Sequence, residues 1–202
     1  MKIKICGLTR REDVECAVEQ GADILGFILA PSPRRISPRL VCELTEHIPS
    51  TVLKAGVFVN EDIETVKRTA DQCGLDLVQL HGDETPDYCS EIGSTAVKAF
   101  RVRGSADIEQ LKNYPCSLFL LDAFVPGSRG GTGTAFDHTL ACEAKQYGNI
   151  IVAGGLTPDN VGRMVRAVRP WGCDVSSGVE KDKGIKDHTL IARFVHSARE
   201  EI

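Results

Sequence analysis

A chain of 202 residues, 42% hydrophobic and 26% charged, has the composition of an ordinary globular protein and can bury a core without disulfide staples. The net charge is −4 and no basic cluster exceeds the pairs Arg10-Arg11 and Arg34-Arg35, which argues against a nucleic-acid-binding surface. No apolar segment approaches the roughly 20 residues that span a bilayer, and the N-terminal apolar run is too short for a signal peptide. These features predict a cytoplasmic protein that binds neither nucleic acid nor membrane.

The cysteines and histidines show no metal-binding pattern. Eight cysteines occur without a C-x-x-C motif, and the five histidines do not cluster at ligand spacing. Most of the cysteines are expected to be small apolar residues in a reducing compartment, and neither a metal nor another cofactor is predicted.

Short apolar runs alternate with helical patterns along the whole chain, which is typical of strand-then-helix units. Eight runs are predicted as strands: residues 2–6, 24–29, 52–59, 75–80, 96–100, 117–121, 150–153 and 174–175. A helix is predicted after each strand. The first seven helices are predicted to begin with capping residues: Thr9, Ser37, Asn60, Thr85, Ser105, Asp137 and Thr157.

Alternating strands and helices predict a parallel sheet, and eight such units in about 200 residues predict a compact α/β fold, a single (β/α)8 TIM barrel. Residues 1–202 are expected to form one domain. An open doubly wound sheet is the alternative, but no G-x-G-x-x-G motif follows the first strand. The glycine-rich segment 123–136 is too long for an ordinary connection, and loops of this length are usually functional or disordered.

The active site of such a barrel lies at the C-terminal ends of its strands, where two residues are candidates for acid–base chemistry. Cys6 ends the first strand, and Thr9 with Glu12 is expected to form a capping box at the next helix. A helix N-terminus stabilises a nearby thiolate, although a buried structural cysteine is the alternative. Asp122 ends an apolar strand, where partial desolvation suits a general acid; otherwise it caps the following loop.

Glycines and serines at the ends of the last two strands predict a phosphate site. Gly154 and Gly155 close the seventh strand, and Ser176, Ser177 and Gly178 close the eighth. Glycines let backbone N–H groups approach a phosphate closely, and the serine hydroxyls add donors.

Three more polar residues are expected at the same end of the barrel. Arg34 lies in a proline-braced loop that suits a two-pronged grip on a carboxylate, although such an arginine is usually a solvated surface charge. Its neighbour Arg35 competes for that role. His81 is interpreted mainly as a structural hydrogen-bonding residue, and Asp174 either orients its neighbours or binds a substrate hydroxyl.

A series of short motifs runs through the chain in a fixed order. The motifs are Lys4-Ile5-Cys6-Gly7-Leu8-Thr9, Gly21-Ala22-Asp23 with Gly26-Phe27, Ser32-Pro33-Arg34 with Ile36-Ser37-Pro38, Gly56-Val57-Phe58-Val59, Val78-Gln79-Leu80-His81-Gly82, Leu120-Leu121-Asp122, Gly130-Gly131-Thr132-Gly133 with Phe136-Asp137, Gly154-Gly155-Leu156, and Asp174-Val175-Ser176-Ser177-Gly178-Val179-Glu180. In combination they resemble the phosphoribosylanthranilate isomerase family of tryptophan biosynthesis. One departure is His138, which stands where the family often has tryptophan.

The resemblance implies a (β/α)8 barrel that carries out an Amadori rearrangement of N-(5-phosphoribosyl)anthranilate without a cofactor. It implies that Cys6 is the general base and Asp122 the general acid. It further implies that Arg34 binds the anthranilate carboxylate, while the backbone of Gly155 and the turn of residues 176–178 hold the phosphate.

Two other functions remain as hypotheses at this level. A related aminoaldose–ketose isomerase of histidine biosynthesis needs a carboxylate base on the first strand and a second phosphate site. A non-catalytic phosphate-ligand-binding barrel needs the glycine loops but not both Cys6 and Asp122. The predicted partner is a small phosphorylated substrate, and the sequence leaves open whether the protein is a monomer or a homodimer.

Overall fold

Eight parallel strands close into a barrel in the computed structural model, which describes residues 1–123 and 138–201. The strands are β1 (Lys2–Cys6), β2 (Ile24–Ile28), β3 (Leu53–Phe58), β4 (Leu77–Leu80), β5 (Ala96–Val102), β6 (Leu118–Ala123), β7 (Asn149–Ala153) and β8 (Gly172–Val175). Each strand pairs with the next, and β1 pairs with β8 so that Lys4 lies opposite Asp174. The predicted (β/α)8 barrel is therefore confirmed, and the predicted strand ends differ from these by at most two residues.

Eight helices follow the strands and pack on the outside of the barrel. They are α1 (Arg11–Glu19), α2 (Pro38–Thr45), α3 (Ile63–Cys73), α4 (Pro86–Ile92), α5 (Ser105–Glu109), α6 (His138–Ala144), α7 (Val161–Val168) and α8 (His188–Arg199). Fully buried side chains such as Phe27, Phe119 and Phe194 fill the layer between strands and helices. No helix in the described ranges is long and apolar enough to cross a membrane.

A hairpin between β8 and α8 was not predicted from the sequence. It consists of β9 (Glu180–Asp182) and β10 (Ile185–Lys186), which pair in antiparallel fashion. Gly184 makes the turn with a φ of +78°. The hairpin sequence is rich in charged residues and lacks the alternating apolar pattern that usually predicts strands.

The predicted capping box at α1 is wrong. The helix begins after Arg10, and no side chain caps it. The hydroxyl of Thr9 instead donates to the carbonyl oxygen of Gly184 at 2.5 Å, in the turn of the hairpin. The Thr9 hydroxyl therefore makes a tertiary hydrogen bond instead of capping the helix, and Glu12 has no capping partner at Thr9.

The predicted cap of α3 is also displaced. Asp62, not Asn60, caps this helix by accepting a hydrogen bond from the N–H of Thr65 at 3.0 Å. Asn60 has a φ of +49° and accepts a hydrogen bond from the N–H of Asp83 at 2.6 Å. Asn60 therefore joins the loop after β3 to the loop after β4.

The other predicted helix starts are met to different degrees. Ser37 and Thr85 cap α2 and α4 as expected, each with a following proline. Ser105 is the first residue of α5 rather than its cap, and α7 begins four residues after Thr157. The predicted cap Asp137 and the glycine-rich segment 124–136 lie outside the described residues.

The barrel interior changes from apolar to polar toward the C-terminal ends of the strands. Because side chains alternate along a strand, Leu118, Leu120 and Asp122 share the inner face of β6. The apolar layer is formed by Val97, Ala99, Leu118, Leu120, Ile151 and Ala153. Lys4 on β1, Gln79 on β4 and Asp174 on β8 are buried polar residues. The polar side chains of the barrel interior are therefore concentrated at its mouth.

Candidate active site

A cavity of about 460 Å³ opens at the C-terminal ends of the strands. All of the site residues predicted from the sequence line it: Cys6, Arg34, His81, Asp122, Gly154, Gly155, Asp174, Ser176, Ser177 and Gly178. They come from β1, β6 and β8 and from the loops after β2, β4, β7 and β8. The closed barrel is what brings these distant segments together.

The thiol of Cys6 is buried at the end of β1, with 6% of the residue exposed. Burial raises the pKa of Cys6, the positive charge of Lys4 acts against this rise, and the carboxylate of Asp174 adds to it. The charge of Lys186 also lowers the pKa of this thiol, but the net direction is upward. Burial thus acts against the thiolate that the sequence led us to expect at Cys6.

A buried ion pair lies beside Cys6 in the barrel. Lys4 Nζ donates to Asp174 Oδ1 at 2.9 Å, and the two side chains are 2% and 10% exposed. Burial alone lowers the pKa of Lys4, but the negative charge of Asp174 and its hydrogen bond raise that pKa above its ordinary value. Lys4 and Cys6 are two residues apart on one strand and face the same side. A fixed positive charge thus stands next to the thiol.

Glu180 joins two cations at the edge of the cavity. Arg34 donates from Nε and Nη2 to its two carboxylate oxygens at 2.7 and 2.6 Å, and Lys186 Nζ donates to Oε1 at 3.0 Å. Burial alone would raise the pKa of Glu180, but the hydrogen bond from Arg34 and the charge of Lys186 hold it below its usual range. Lys186 also donates to the carbonyl oxygens of Cys6 and Ser176 at 2.7 and 3.0 Å. This network ties the hairpin to the ends of β1 and β8.

The structure distinguishes between the two neighbouring arginines. Arg34 lines the cavity, whereas Arg35 is exposed and lies in a separate groove beside Leu29. The Arg34 side chain crosses Gly7, where a Cβ would lie 2.7 Å from Arg34 Cδ and the φ is +76°. Only a glycine fits this turn without strain. The bidentate partner of Arg34 is Glu180.

Asp122 stands on the inner face of β6 with 33% of its side chain exposed. Its Oδ2 atom lies 3.4 Å from Nε2 of His81. The amide nitrogen of Gln79 lies 2.9 Å from Nδ1 of the same ring. The other ring nitrogen, Nε2, faces the carboxylate group of Asp122. His81 therefore links the barrel interior to Asp122 rather than serving the fold alone.

Both glycine loops contain positions that require glycine. Gly154 and Gly155 have φ values of +84° and +68°, in the region that favours glycine. A Cβ on Gly178 would overlap the carbonyl oxygen of Leu156, so the two loops are packed in direct contact. Asn160 braces the first loop by donating from Nδ2 to the Gly155 carbonyl at 2.9 Å. A second cavity, of about 820 Å³, extends outward from these loops past Arg34.

Sequence reasoning missed several residues that shape the site. They are Lys4, Gln79, Arg101, Glu180 and Lys186. Arg101 could have been predicted from strand alternation, because it shares the inner face of β5 with Val97 and Ala99. It pairs in register with Asp122 and lines the cavity. Its guanidinium makes no hydrogen bond or ion pair to any side chain in the parts of the chain that are described.

Fold and cavity together define a class of protein: barrel enzymes with ionisable side chains and two glycine-containing loops at the mouth. Within that class the family can be stated. The family model for N-(5'phosphoribosyl)anthranilate (PRA) isomerase matches residues 3–197, and the chain belongs to this family.

Known relatives match the chain over nearly its full length. It is 49% identical over 199 residues to N-(5'-phosphoribosyl)anthranilate isomerase of Geobacter sp. strain M21, covering 98% of both chains. The crystal structure of phosphoribosyl anthranilate isomerase from Thermotoga maritima matches with a TM-score of 0.91 and 38% identity, covering 99% of both chains. A phosphoribosyl anthranilate isomerase in complex with reduced 1-(o-carboxyphenylamino)-1-deoxyribulose 5-phosphate matches with a TM-score of 0.87 and 36% identity, again over 99% of both.

Proposed function

We propose that this protein converts N-(5-phosphoribosyl)anthranilate into 1-(2-carboxyphenylamino)-1-deoxyribulose 5-phosphate, a reaction of tryptophan biosynthesis. The observation that carries the proposal is the single cavity that collects Cys6, Asp122 and the two glycine loops. Membership of the isomerase family and the likeness to a relative bound to a reduced form of the product support it.

Asp122 is proposed as the general acid. It donates a proton to the ring oxygen of the ribose, the C1–O bond breaks, and the nitrogen lone pair forms a C=N bond to C1. A carboxyl group that is only one-third exposed can hold and deliver this proton at a fixed position. The neighbouring Nε2 of His81, at 3.4 Å, orients the carboxyl group toward the substrate.

Cys6 is proposed as the general base. Its thiolate takes the proton from C2 of the opened sugar, and the electron pair of that bond forms the enolamine, which tautomerises to the ketone. Burial favours the thiol in the free protein, whereas the positive charges of Lys4 and Lys186 favour the thiolate, which forms by loss of the thiol proton to water before this step. These lysines act through Cys6 and are positioning residues.

The binding roles follow the charges around the cavity. The backbone of Gly155 and the turn from Ser176 to Gly178 bind the phosphate, with Gly154 shaping the first loop. Arg34 binds the anthranilate carboxylate through the three N–H groups that Glu180 leaves free, since a guanidinium has five donors. Asp174, held by Lys4 through one oxygen, positions a substrate hydroxyl.

The wider properties of the protein are proposed on the same basis. Residues 1–202 form one domain that works in the cytoplasm as a monomer or homodimer, without a cofactor and without binding nucleic acid. The histidine-pathway alternative loses support because the position that would need a carboxylate is Cys6. A binding-only barrel loses support because both Cys6 and Asp122 line the cavity.

The test is turnover of two substrates by the purified protein. Conversion of N-(5-phosphoribosyl)anthranilate is followed by the loss of its fluorescence, and the aminoaldose substrate of the histidine pathway is offered in a parallel reaction. The proposal expects turnover of the first substrate only. Turnover of neither would leave a folded barrel without this activity, and turnover of the second alone would favour the rival isomerase.

A further inference from the structure

Two thiols face each other on the outside of the barrel, away from the cavity. Cys42 lies in α2 and Cys73 is the last residue of α3, and their sulfur atoms are 3.9 Å apart. Neither thiol lines the candidate active site. Each also lies near a backbone oxygen, Cys42 Sγ at 3.5 Å from that of Gln72 and Cys73 Sγ at 3.4 Å from that of Pro38.

We propose that Cys42 and Cys73 are a redox modification site that forms a disulfide with a low-molecular-weight disulfide as the oxidant. Closing the gap from 3.9 Å to the S–S length of about 2.05 Å requires about 1.9 Å of combined sulfur movement. We expect rotation of the two side chains to supply that movement.

The two thiols differ in a way that fixes the order of attack. Cys42 is half-buried and accessible to a small reagent, whereas Cys73 is 4% exposed. Burial and the hydrogen bond with Cys42 raise the pKa of Cys73 to about 12. The thiolate is the reactive form of cysteine. Cys42 is therefore the attacking thiol and Cys73 the resolving thiol.

The exchange proceeds in two balanced steps. The Cys42 thiolate attacks one sulfur of the reagent, forms a mixed disulfide and expels a thiolate that takes up a proton. The Cys73 thiol then loses its proton and attacks Cys42 Sγ, and the second reagent thiolate leaves and is protonated. Two protein thiols are oxidised and one small disulfide is reduced to two thiols.

The other cysteines supply internal controls. Cys89 and Cys116 also form a hydrogen-bonded thiol pair, but they are only 1% and 7% exposed. Cys142 is exposed, and the acceptor found for its sulfur is a backbone oxygen at 3.9 Å, so it has no resolving thiol there. Among the cysteine pairs described, only Cys42 and Cys73 combine neighbouring sulfur atoms with a thiol that a reagent can reach.

The disulfide would close a loop that contains β3, one of the barrel strands. Constraining such a loop reduces the freedom of the unfolded chain and favours the folded state. We expect the oxidised protein to show a higher melting temperature and unchanged turnover, because the pair is remote from the cavity. Dithiothreitol should reverse the change.

The test uses the full-length protein, reduced and then incubated with oxidised glutathione. Remaining thiols are blocked with iodoacetamide, and peptide mass spectrometry identifies any cross-link by its loss of two hydrogens. The expected product is a peptide joining Cys42 to Cys73. In Cys73→Ser, Cys42 should retain glutathione without a cross-link, and Cys42→Ser should give neither product at these positions.

Two results would overturn the inference. One is stable glutathione on Cys42 in the wild type without the cross-link. The other is a first cross-link between Cys89 and Cys116, which would show that access does not control the oxidation. Cys142→Ser serves as the matched serine variant and should leave the Cys42–Cys73 product unchanged.

Discussion

Glu180 is the carboxylate that two cations share, and replacing it with glutamine removes one charge while nearly preserving the side-chain shape. Its own side chain is 5% exposed, that of Lys186 is fully buried, and that of Arg34 is 20% exposed. The substitution Glu180→Gln leaves both cations in place without their shared counter-ion. The cost falls mainly on Lys186, because water cannot reach its ammonium group.

The structure sets the size of the expected effect. Removing one partner of a buried ion pair costs about 3–5 kcal/mol, and we take about 3 kcal/mol because glutamine still accepts a hydrogen bond. A chain of 150–250 residues loses roughly 2–4 °C of melting temperature per kcal/mol. Glu180→Gln is therefore expected to lower the melting temperature by roughly 6–12 °C.

Scanning calorimetry of three proteins tests this value. The wild type and Glu180→Gln are compared with Glu201→Gln, which makes the same change in an exposed pair with Arg166. The control should melt within error of the wild type, because exposed pairs contribute little. Equal melting temperatures for the Glu180 variant and the control would refute the reasoning. A single transition in each protein is also expected, since we propose one domain.

Three further predictions concern the mouth of the barrel and its pH dependence. Arg101→Gln should raise KM about tenfold at unchanged kcat, because its guanidinium lines the cavity and can contact an anionic substrate. Arg35→Gln should change neither constant in the same steady-state assay. Gly178→Ala should weaken inhibition by inorganic phosphate and lower the melting temperature, because its methyl group would overlap the carbonyl oxygen of Leu156. Gly104→Ala is the control: its methyl group meets no neighbouring atom, so neither quantity should change. The pKa of Glu180 is lowered by its cations, so its stabilisation is complete above the unfolded-state value of about 4.3 and is lost as the pH falls through the lower folded-state value. Urea titrations below about pH 4 should therefore show a steeper loss of stability in the wild type than in Glu180→Gln, and parallel losses would contradict this.

The sequence predicted the parts of the site that depend on strand order and local turns. Asp122 and Cys6 could be placed because each stands at the end of a predicted strand, and a closed barrel brings strand ends together. The same reasoning placed Gly154 and Gly155 at this end of the barrel, where they line the cavity. The predicted roles of these residues stay predictions until variants are measured.

Contacts between distant segments could not be predicted from local patterns. Arg34 donates to Glu180, which is 146 positions away in the sequence. The residues of the Arg34 loop alone therefore gave no sign that its guanidinium has a carboxylate partner. The hydroxyl of Thr9 bonds to Gly184 across 175 positions, which removed the expected helix cap. Likewise, the burial that raises the pKa of Cys6 is a property of the closed barrel.

The most direct test of the account is the kcat of Cys6→Ala and Asp122→Asn on N-(5-phosphoribosyl)anthranilate. General acid–base groups contribute about 10²–10⁴-fold, so each variant should lose that much kcat while KM stays close to the wild-type value. Cys16→Ala, a buried cysteine of α1 outside the cavity, should keep its activity. Either site variant, folded and melting like the wild type but retaining its kcat, would contradict the proposed acid–base pair.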